Sequence, residues 1–143
     1  MAERLGYLVL HEPIIPTVLG PRKPDLVFWK EGSRAWVVDV TVAWEGYDSL
    51  DEPHFDKCVK YDRPEVRDFC REKCGVNPAF TTLTVTWRGC MSAASAADLR
   101  LLELQTKDLA LLSQVCVEQT AWLHRVYQKN AFRRGLSPSY SGR

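Results

Sequence analysis

Two aspartates occupy positions at which a β-hairpin would bring their carboxylates together. Two β-rich runs, Leu26–Trp29 and Ala35–Val42, are joined by the glycine-containing segment Glu31–Arg34, a pattern that predicts two antiparallel strands. Asp25 directly precedes the first strand, and Asp39 lies within the second. With the turn centred on its glycine, residue 25 pairs with a residue close to 39 or 40, so the two carboxylates should meet at one end of the sheet.

Carboxylates that face each other repel unless a positive charge lies between them. A divalent metal is the obvious candidate, because hard cations such as Mg²⁺ take oxygen ligands, often one or two carboxylates with substrate phosphates. Asp39 needs such a partner most, since a charge in a strand that is apolar on both faces is costly. Its structural alternative is an ion pair with Arg34, Lys57 or Lys60. Asp25 alone fits an ordinary Pro-Asp entry into a strand, so only the joint spacing favours a metal, and deleting one carboxylate should relieve repulsion.

A helix that we expect to begin at Pro53 supplies the positive charge. Lys57, Lys60 and Tyr61 are spaced three and four residues apart and therefore share one helical face. If this helix packs beside the hairpin, an ammonium group can orient an attacking water or stabilise charge that develops on a phosphate. The alternative is a solvated basic face.

The elements around this group predict an α/β fold, a small mixed sheet with helices on its faces. Residues Leu5–Leu10 are ambiguous between an extended and a helical start. Further along the chain we expect a helix from Pro64 that stops at Gly75, a strand Phe80–Trp87, a helix from Ser95 to about Gln105, and a long helix capped by Thr106 that ends near Phe132. The strand that contains Asp39 is apolar on both faces, which is typical of a central strand.

Length and composition fit one globular domain. The 143 residues match the roughly 100 to 200 residues of a single domain, and we expect it to span 1–134, with a disordered tail over 135–143. Hydrophobic residues make up 45% and charged residues 26%, as in ordinary folded chains. No apolar run approaches the ~18 residues that a membrane helix needs, so we expect no membrane association.

The odd number of cysteines, five, and the lack of an export signal favour reduced thiols in a reducing compartment, nucleus or cytosol. A zinc site built from Cys70 and Cys74 with His54 or His124 is disfavoured because no CxxC pair is present, and we expect small buried hydrophobic residues instead. The five tryptophans are likewise expected in the core, and stacking on the bases of a nucleic acid is the less favoured alternative.

Positive charge is concentrated near the C-terminus. Residues 122–143 hold five basic residues and no acid, which leaves 14 basic against 18 acidic residues in the rest of the chain. A polyanionic partner and a cationic end that complements the helix dipole explain this equally well.

The motif Lys23-Pro24-Asp25, followed by Asp39, Lys57, Lys60 and Tyr61, resembles the PD-(D/E)xK nuclease pattern. Thr41 stands where the usual pattern has its lysine, and the lysine is displaced to a helix. This variant is similar to the restriction-like endonuclease domain of site-specific non-LTR retrotransposons, over roughly residues 10 to 90. No reverse-transcriptase motif accompanies it, so the resemblance describes an excised domain.

The resemblance implies a restriction-endonuclease-like fold and metal-dependent nicking of double-stranded DNA, which exposes a 3′ hydroxyl that primes reverse transcription. It implies Asp25, Asp39 and the Val40 carbonyl as ligands of Mg²⁺ (or Mn²⁺), with Lys60 preferred to Lys57 as the catalytic cation. Glu12 is more readily explained as a surface residue than as a further ligand. The implied contacts to DNA are Arg22, Lys23, Tyr61, Arg125, Lys129, Arg133 and Arg134.

The same resemblance implies a nuclear location and a reverse transcriptase joined in cis as partner. The alternatives are a catalytically weak DNA- or protein-binding module of the same fold and a nuclease similar to Holliday-junction resolvases. The oligomeric state and the target sequence stay open.

Overall fold

A four-stranded mixed sheet forms the centre of the protein in the computed structural model, which describes residues 6–44, 46 and 49–133. The strands are β1 (Leu8–His11), β2 (Leu26–Trp29), β3 (Ala35–Ala43) and β4 (Pro78–Thr86), and they lie side by side in that order. β1 pairs with β2 and β2 with β3 in antiparallel fashion, whereas β3 and β4 are parallel. The predicted α/β class, the hairpin and the central position of β3 are confirmed.

Helices flank this sheet. They are α1 (Asp51–Tyr61), α2 (Pro64–Cys74), α3 (Ala93–Leu101) and α4 (Thr106–Arg133). α2 begins at its proline and stops at Gly75, which has φ 72° and closes the helix in the left-handed conformation as predicted. Among the described helices, none combines the length and the apolar character needed to cross a membrane.

Some boundaries differ from the sequence expectations. α1 begins at Asp51, two residues before Pro53, and the Asp51 carboxylate also holds the start of α3 by accepting a hydrogen bond from Ser92 Oγ (2.6 Å). Thr106 is the first residue of α4 and not its cap, since the preceding Gln105 donates its N–H to Asp108 Oδ2 (2.8 Å). The ambiguous start contains β1, a short edge strand.

Side chains alternate along β3 and divide the core into two layers. On one face Val37 packs with Tyr61 of α1 and Val66 of α2, and on the other Trp36 and Val38 pack against α3 and the start of α4. Asp39 follows Val37 by two residues and therefore points to the face that α1 covers. The Asp39 side chain thus faces α1, the helix that contains Lys57 and Lys60.

The outer edge of β4 is covered by the start of α3. Ser95 Oγ accepts the Thr84 N–H (3.1 Å) and donates to the Thr82 carbonyl, while Ser92 N–H donates to the Thr84 carbonyl (3.0 Å). The backbone groups of this part of the edge are therefore not available for pairing with another chain.

Two expectations about the core are wrong. Trp36 is buried, but Trp44, Trp87 and Trp122 are 75%, 41% and 57% exposed. Trp44 and Trp87 follow the ends of the parallel strands β3 and β4, beyond the part of the sheet that the core layers cover. The five thiols are free, but only that of Cys70 is fully buried, and Cys90 is exposed. The tail 135–143 lies outside the described residues.

Candidate active site

The hairpin register places Asp25 beside Asp39. Leu26 pairs with Val38, so the next positions outward on the two strands are the two aspartates. The Asp25 side chain is fixed there because its Oδ2 accepts the backbone N–H of Val40 at 2.6 Å. The sequence prediction that the two carboxylates approach at one end of the sheet therefore agrees with the strand pairing.

Asp39 is buried, with 5% of its surface exposed, and both of its oxygens are hydrogen-bonded. Oδ2 accepts from Lys57 Nζ at 2.7 Å and from Thr41 Oγ1 at 3.2 Å. Oδ1 accepts from the Tyr61 hydroxyl at 2.6 Å. A buried charge is tolerated when it is paired and hydrogen-bonded in this way.

Tyr61 acts on this carboxylate from the end of α1. Its side chain is 4% exposed, and its hydroxyl lies within reach of both Asp39 Oδ1 and the Lys23 carbonyl (3.2 Å). Burial raises the pKa of Tyr61, and its hydrogen bond to Asp39 and the negative charge there add to the effect, so the hydroxyl stays a proton donor. The resemblance implies that Tyr61 contacts DNA. In the structure its hydroxyl is instead buried against Asp39, where a ligand in solvent does not reach it.

The two lysines of α1 take different positions. Lys57 makes the ion pair with Asp39, and its side chain keeps 32% of its surface exposed. Lys60 is exposed, and its Nζ lies 5.0 Å from the centre of the Tyr61 ring. The ion pair with Lys57 is the structural alternative that the sequence allowed for Asp39. It also brings an ammonium group to the carboxylates, as a metal site with a helix lysine requires.

The residues before β2 surround Asp25 with further charges. Glu12 N–H donates to the Asp25 carbonyl (2.8 Å), and the Glu12 carboxylate forms an ion pair with Lys23 Nζ at 3.0 Å. Glu12 and Lys23 are both more than half exposed. Arg22 Nε is buried and has no hydrogen-bond partner among the described residues. Glu12 is thus near Asp25 through its backbone, while its carboxylate is engaged by a lysine.

The donors available to a metal are hard oxygen atoms. Within the described ranges no three side chains of His, Cys, Asp or Glu converge on one point. Asp25 and Asp39, with the backbone of Val40 between them, are the donor set that the sequence predicted, and Mg²⁺ commonly binds through so few protein ligands. Each carboxylate oxygen has two lone pairs, so Asp39 Oδ1 and both oxygens of Asp25 keep capacity for a metal, whereas Asp39 Oδ2 already accepts two hydrogen bonds.

Sequence reasoning missed two contributors to this site. In the sequence pattern Thr41 only marks the position at which the usual lysine is absent, yet in the structure its hydroxyl donates a hydrogen bond to Asp39. Val40 counted for its carbonyl, yet its N–H holds Asp25. The two-residue spacing from Asp39 to Thr41 on one strand face was a usable sign of contact.

The predicted basic contacts on α4 lie outside this group. Arg125 and Lys129 are exposed and share a face of the helix. Arg133 is the last residue of α4, and Arg134 lies outside the described residues.

No protein-family profile matches the sequence. Among curated proteins, the chain is 33% identical over 95 residues to the retrovirus-related Pol polyprotein from the type-2 retrotransposable element R2DM of Drosophila melanogaster, an alignment that covers 65% of the chain. Two Pol polyproteins from the type-1 retrotransposable element R2 of Popillia japonica are 28% and 32% identical, over 94% and 83% of the chain.

The chain is similar to a segment of R2 retrotransposon Pol polyproteins. It spans 9% of the length of the Drosophila relative and 28% and 16% of the lengths of the two Popillia relatives. These similarities support an origin in a retrotransposon protein.

Proposed function

We propose that this chain is a metal-dependent DNA endonuclease domain that nicks double-stranded DNA and exposes a 3′ hydroxyl for target-primed reverse transcription. The observation that carries the proposal is the register of the β2–β3 hairpin, which places Asp25 beside Asp39, with the Lys57 ammonium 2.7 Å from Asp39. The mixed sheet flanked by helices is compatible with a restriction-endonuclease-like fold. The similarity to R2 Pol polyproteins supports the setting.

Asp25, Asp39 and the Val40 carbonyl would hold Mg²⁺ or Mn²⁺. When bound, such an ion polarises the scissile phosphate and lowers the pKa of a bound water. Lys57 donates to Asp39 Oδ2, and with an ion held by the carboxylates its ammonium would be available to a phosphate oxygen.

The protein's own residues hold the carboxylates in one geometry. Tyr61 and Thr41 fix Asp39 from opposite oxygens, and the Val40 N–H fixes Asp25. The backbone of Lys57 is fixed in α1, so only its side chain has to move to bring the ammonium to the phosphate. There it can stabilise the negative charge that develops as the bond breaks. A fixed arrangement of this kind reduces the reorganisation needed during the reaction.

DNA would be held mainly by its phosphates. Arg22 and Lys23 precede Pro24 and Asp25 in the chain, and Arg125 and Lys129 are exposed bases on α4 that Arg133 and Arg134 follow in the sequence. Such contacts position a duplex without reading its sequence. The proposal also places this domain in a larger nuclear protein, in which a reverse transcriptase belongs to the same polypeptide.

The test is a plasmid assay with purified protein. Supercoiled DNA should be converted to open circles with Mg²⁺ or Mn²⁺ and should stay supercoiled in EDTA. A DNA polymerase should then extend the nicked product without prior treatment, because the nick carries a 3′ hydroxyl. Conversion that is equal with and without metal would contradict the proposal.

A DNA-binding module with weak catalysis is the second candidate. Both oxygens of Asp39 are engaged by Lys57, Tyr61 and Thr41 without a metal, which favours this alternative. It predicts plasmid binding in the same assay without metal-dependent nicking. A resolvase-like nuclease would instead cleave a four-way junction in preference to linear duplex.

A further inference from the structure

An open groove lies where β3 and β4 end beside the second half of α4. It encloses about 1140 Å³ and is lined by Val42, Trp44, Trp87, Arg88, Val117 and His124, among others. This volume exceeds that of ordinary small-molecule pockets, so an extended ligand fits it better than a compact one. The groove is separate from the carboxylates, which face α1.

Two tryptophans give the groove aromatic walls that no core layer covers. Trp44 and Trp87 are 75% and 41% exposed. The Trp44 ring lies against the backbone at Gly46, where an added Cβ would stand 3.1 Å from its Cδ1. The turn after Trp87 is close to α4, since a Cβ at Gly89 would meet Val117 at 2.9 Å. The Trp44 ring therefore contacts neighbouring backbone, and Trp87 precedes a turn that packs on α4.

The charge of the groove suits a polyanion. The described lining residues include no acid, and the Arg88 guanidinium lies 4.7 Å from the centre of the Trp87 ring. Arg125 and Lys129 follow on α4, within a segment, 122–143, that contains no acidic residue. Aromatic faces beside positive charge are the features that bind single-stranded nucleic acid, because bases stack and phosphates pair.

We infer that this groove binds single-stranded DNA, whose bases stack on Trp44 and Trp87. The inference rests on the proposed endonuclease function. Ala43, which lines the groove and belongs to the same face of β3 as Asp39, lies four residues beyond it, a separation of about 13 Å along the strand. That distance corresponds to about four nucleotides of a stacked strand. A strand released by a nick near Asp39 is thus close enough to enter the groove.

The test measures binding of a fluorescent oligodeoxythymidine in EDTA, in which no cleavage occurs. Trp44→Ala and Trp87→Ala should each weaken binding by roughly 10- to 100-fold, the scale of a single base–aromatic stack. The matched control is Trp122→Ala, which removes a tryptophan that is 57% exposed and outside the groove lining. The oligonucleotide affinity of Trp122→Ala, and the duplex-DNA affinity of all three variants, should change by less than about threefold.

Two results would overturn the inference. One is an oligonucleotide affinity of the groove variants equal to that of Trp122→Ala. The other is a change in sedimentation coefficient on mutation of the groove without a change in affinity, which would make it a contact between copies of the chain. Plasmid nicking by the same variants separates the two proposals, because intact nicking with unaltered oligonucleotide binding rejects the groove alone.

Discussion

Asp39 shows how one residue links the sequence pattern to the site. A charged residue in a two-sided apolar strand requires partners, and the structure provides them from β3 and α1. Repulsion between the carboxylates predicts a gain in stability when one is deleted, whereas these partners predict a loss for Asp39. Its removal would leave the Lys57 ammonium without its acceptor and the buried Tyr61 hydroxyl with only the longer contact to the Lys23 carbonyl, which costs about 1–3 kcal/mol.

Tyr61→Phe should lower both stability and activity. The variant lacks a hydrogen bond to a charged acceptor, worth about 1.5–3 kcal/mol in the free energy of unfolding by urea. Loosening Asp39 should also reduce nicking by roughly 10- to 100-fold and raise the Mg²⁺ concentration needed, as for other partners of metal ligands. Tyr127→Phe, at an exposed tyrosine, is the control. An unchanged Mg²⁺ requirement would argue against a positioning role.

The structure changes which lysine we expect to act at the site. The resemblance favoured Lys60, but Lys57 is the residue whose ammonium lies at Asp39. We therefore expect Lys57→Ala to reduce the nicking rate by about 10²-fold or more, and Lys60→Ala by less than about tenfold. Single-turnover rates on plasmid DNA measure both. A larger reduction in Lys60→Ala would favour Lys60 as the catalytic cation.

At the scale of elements, α1 holds the site because polar contacts attach it to β4 and α3. His54 is buried, its Nδ1 lies 2.9 Å from Thr82 Oγ1, and its Nε2 lies 3.7 Å from Asp98 Oδ2. Asp51 at the other end of the first turn accepts from Ser92 Oγ and the Ala94 N–H. Together they fix the helix that carries Lys57 and Tyr61.

His54 should make stability sensitive to mild acid. Burial lowers the pKa of His54 below 6.5, although Asp98 and Asp51 oppose the effect. As the pH falls below about 6.5, His54 is therefore protonated in the unfolded chain before it is protonated in the folded protein. The free energy of unfolding then falls with decreasing pH, by up to about 1.4 kcal/mol per pH unit.

Urea unfolding between pH 7 and 5 measures this slope. His54→Asn should be less stable at pH 7 but should show a smaller pH dependence. His11→Asn, at an exposed histidine, should keep the slope of the original protein. An equal slope in His54→Asn would contradict the assignment.

Elements with strong local chemistry could be predicted, and those set by tertiary contacts could not. Pro64 and Gly75 fix α2, and the glycine turn fixes the hairpin that aligns Asp25 with Asp39. β1 has only four residues at an edge, too few for a periodic pattern to distinguish strand from helix. The partners of Asp39 on α1 depend on how that helix packs, and the exposed tryptophans depend on where the core layers end.

At the scale of the whole molecule, the basic C-terminal segment should control DNA affinity. Arg125→Gln with Lys129→Gln should weaken binding to all DNA sequences alike. The slope of the logarithm of the binding constant against the logarithm of the salt concentration should become shallower by about 0.9 for each phosphate that is no longer neutralised. Neutralising Arg133 and Arg134 should act the same way. Arg100→Gln with Lys107→Gln, two exposed bases nearer the start of the α3–α4 region, is the control. Unchanged salt slopes would mean that these residues only complement a helix end.

The central claim is that Asp25 and Asp39 together form a metal-dependent cleavage site, and the nicking rate of Asp25→Asn and Asp39→Asn tests it most directly. Asparagine keeps the shape of each side chain, so folding by circular dichroism and affinity for duplex DNA serve as controls. The account predicts folded variants that bind DNA with near-original affinity and show no Mg²⁺-dependent nicking above background. Full nicking by either folded variant would contradict it.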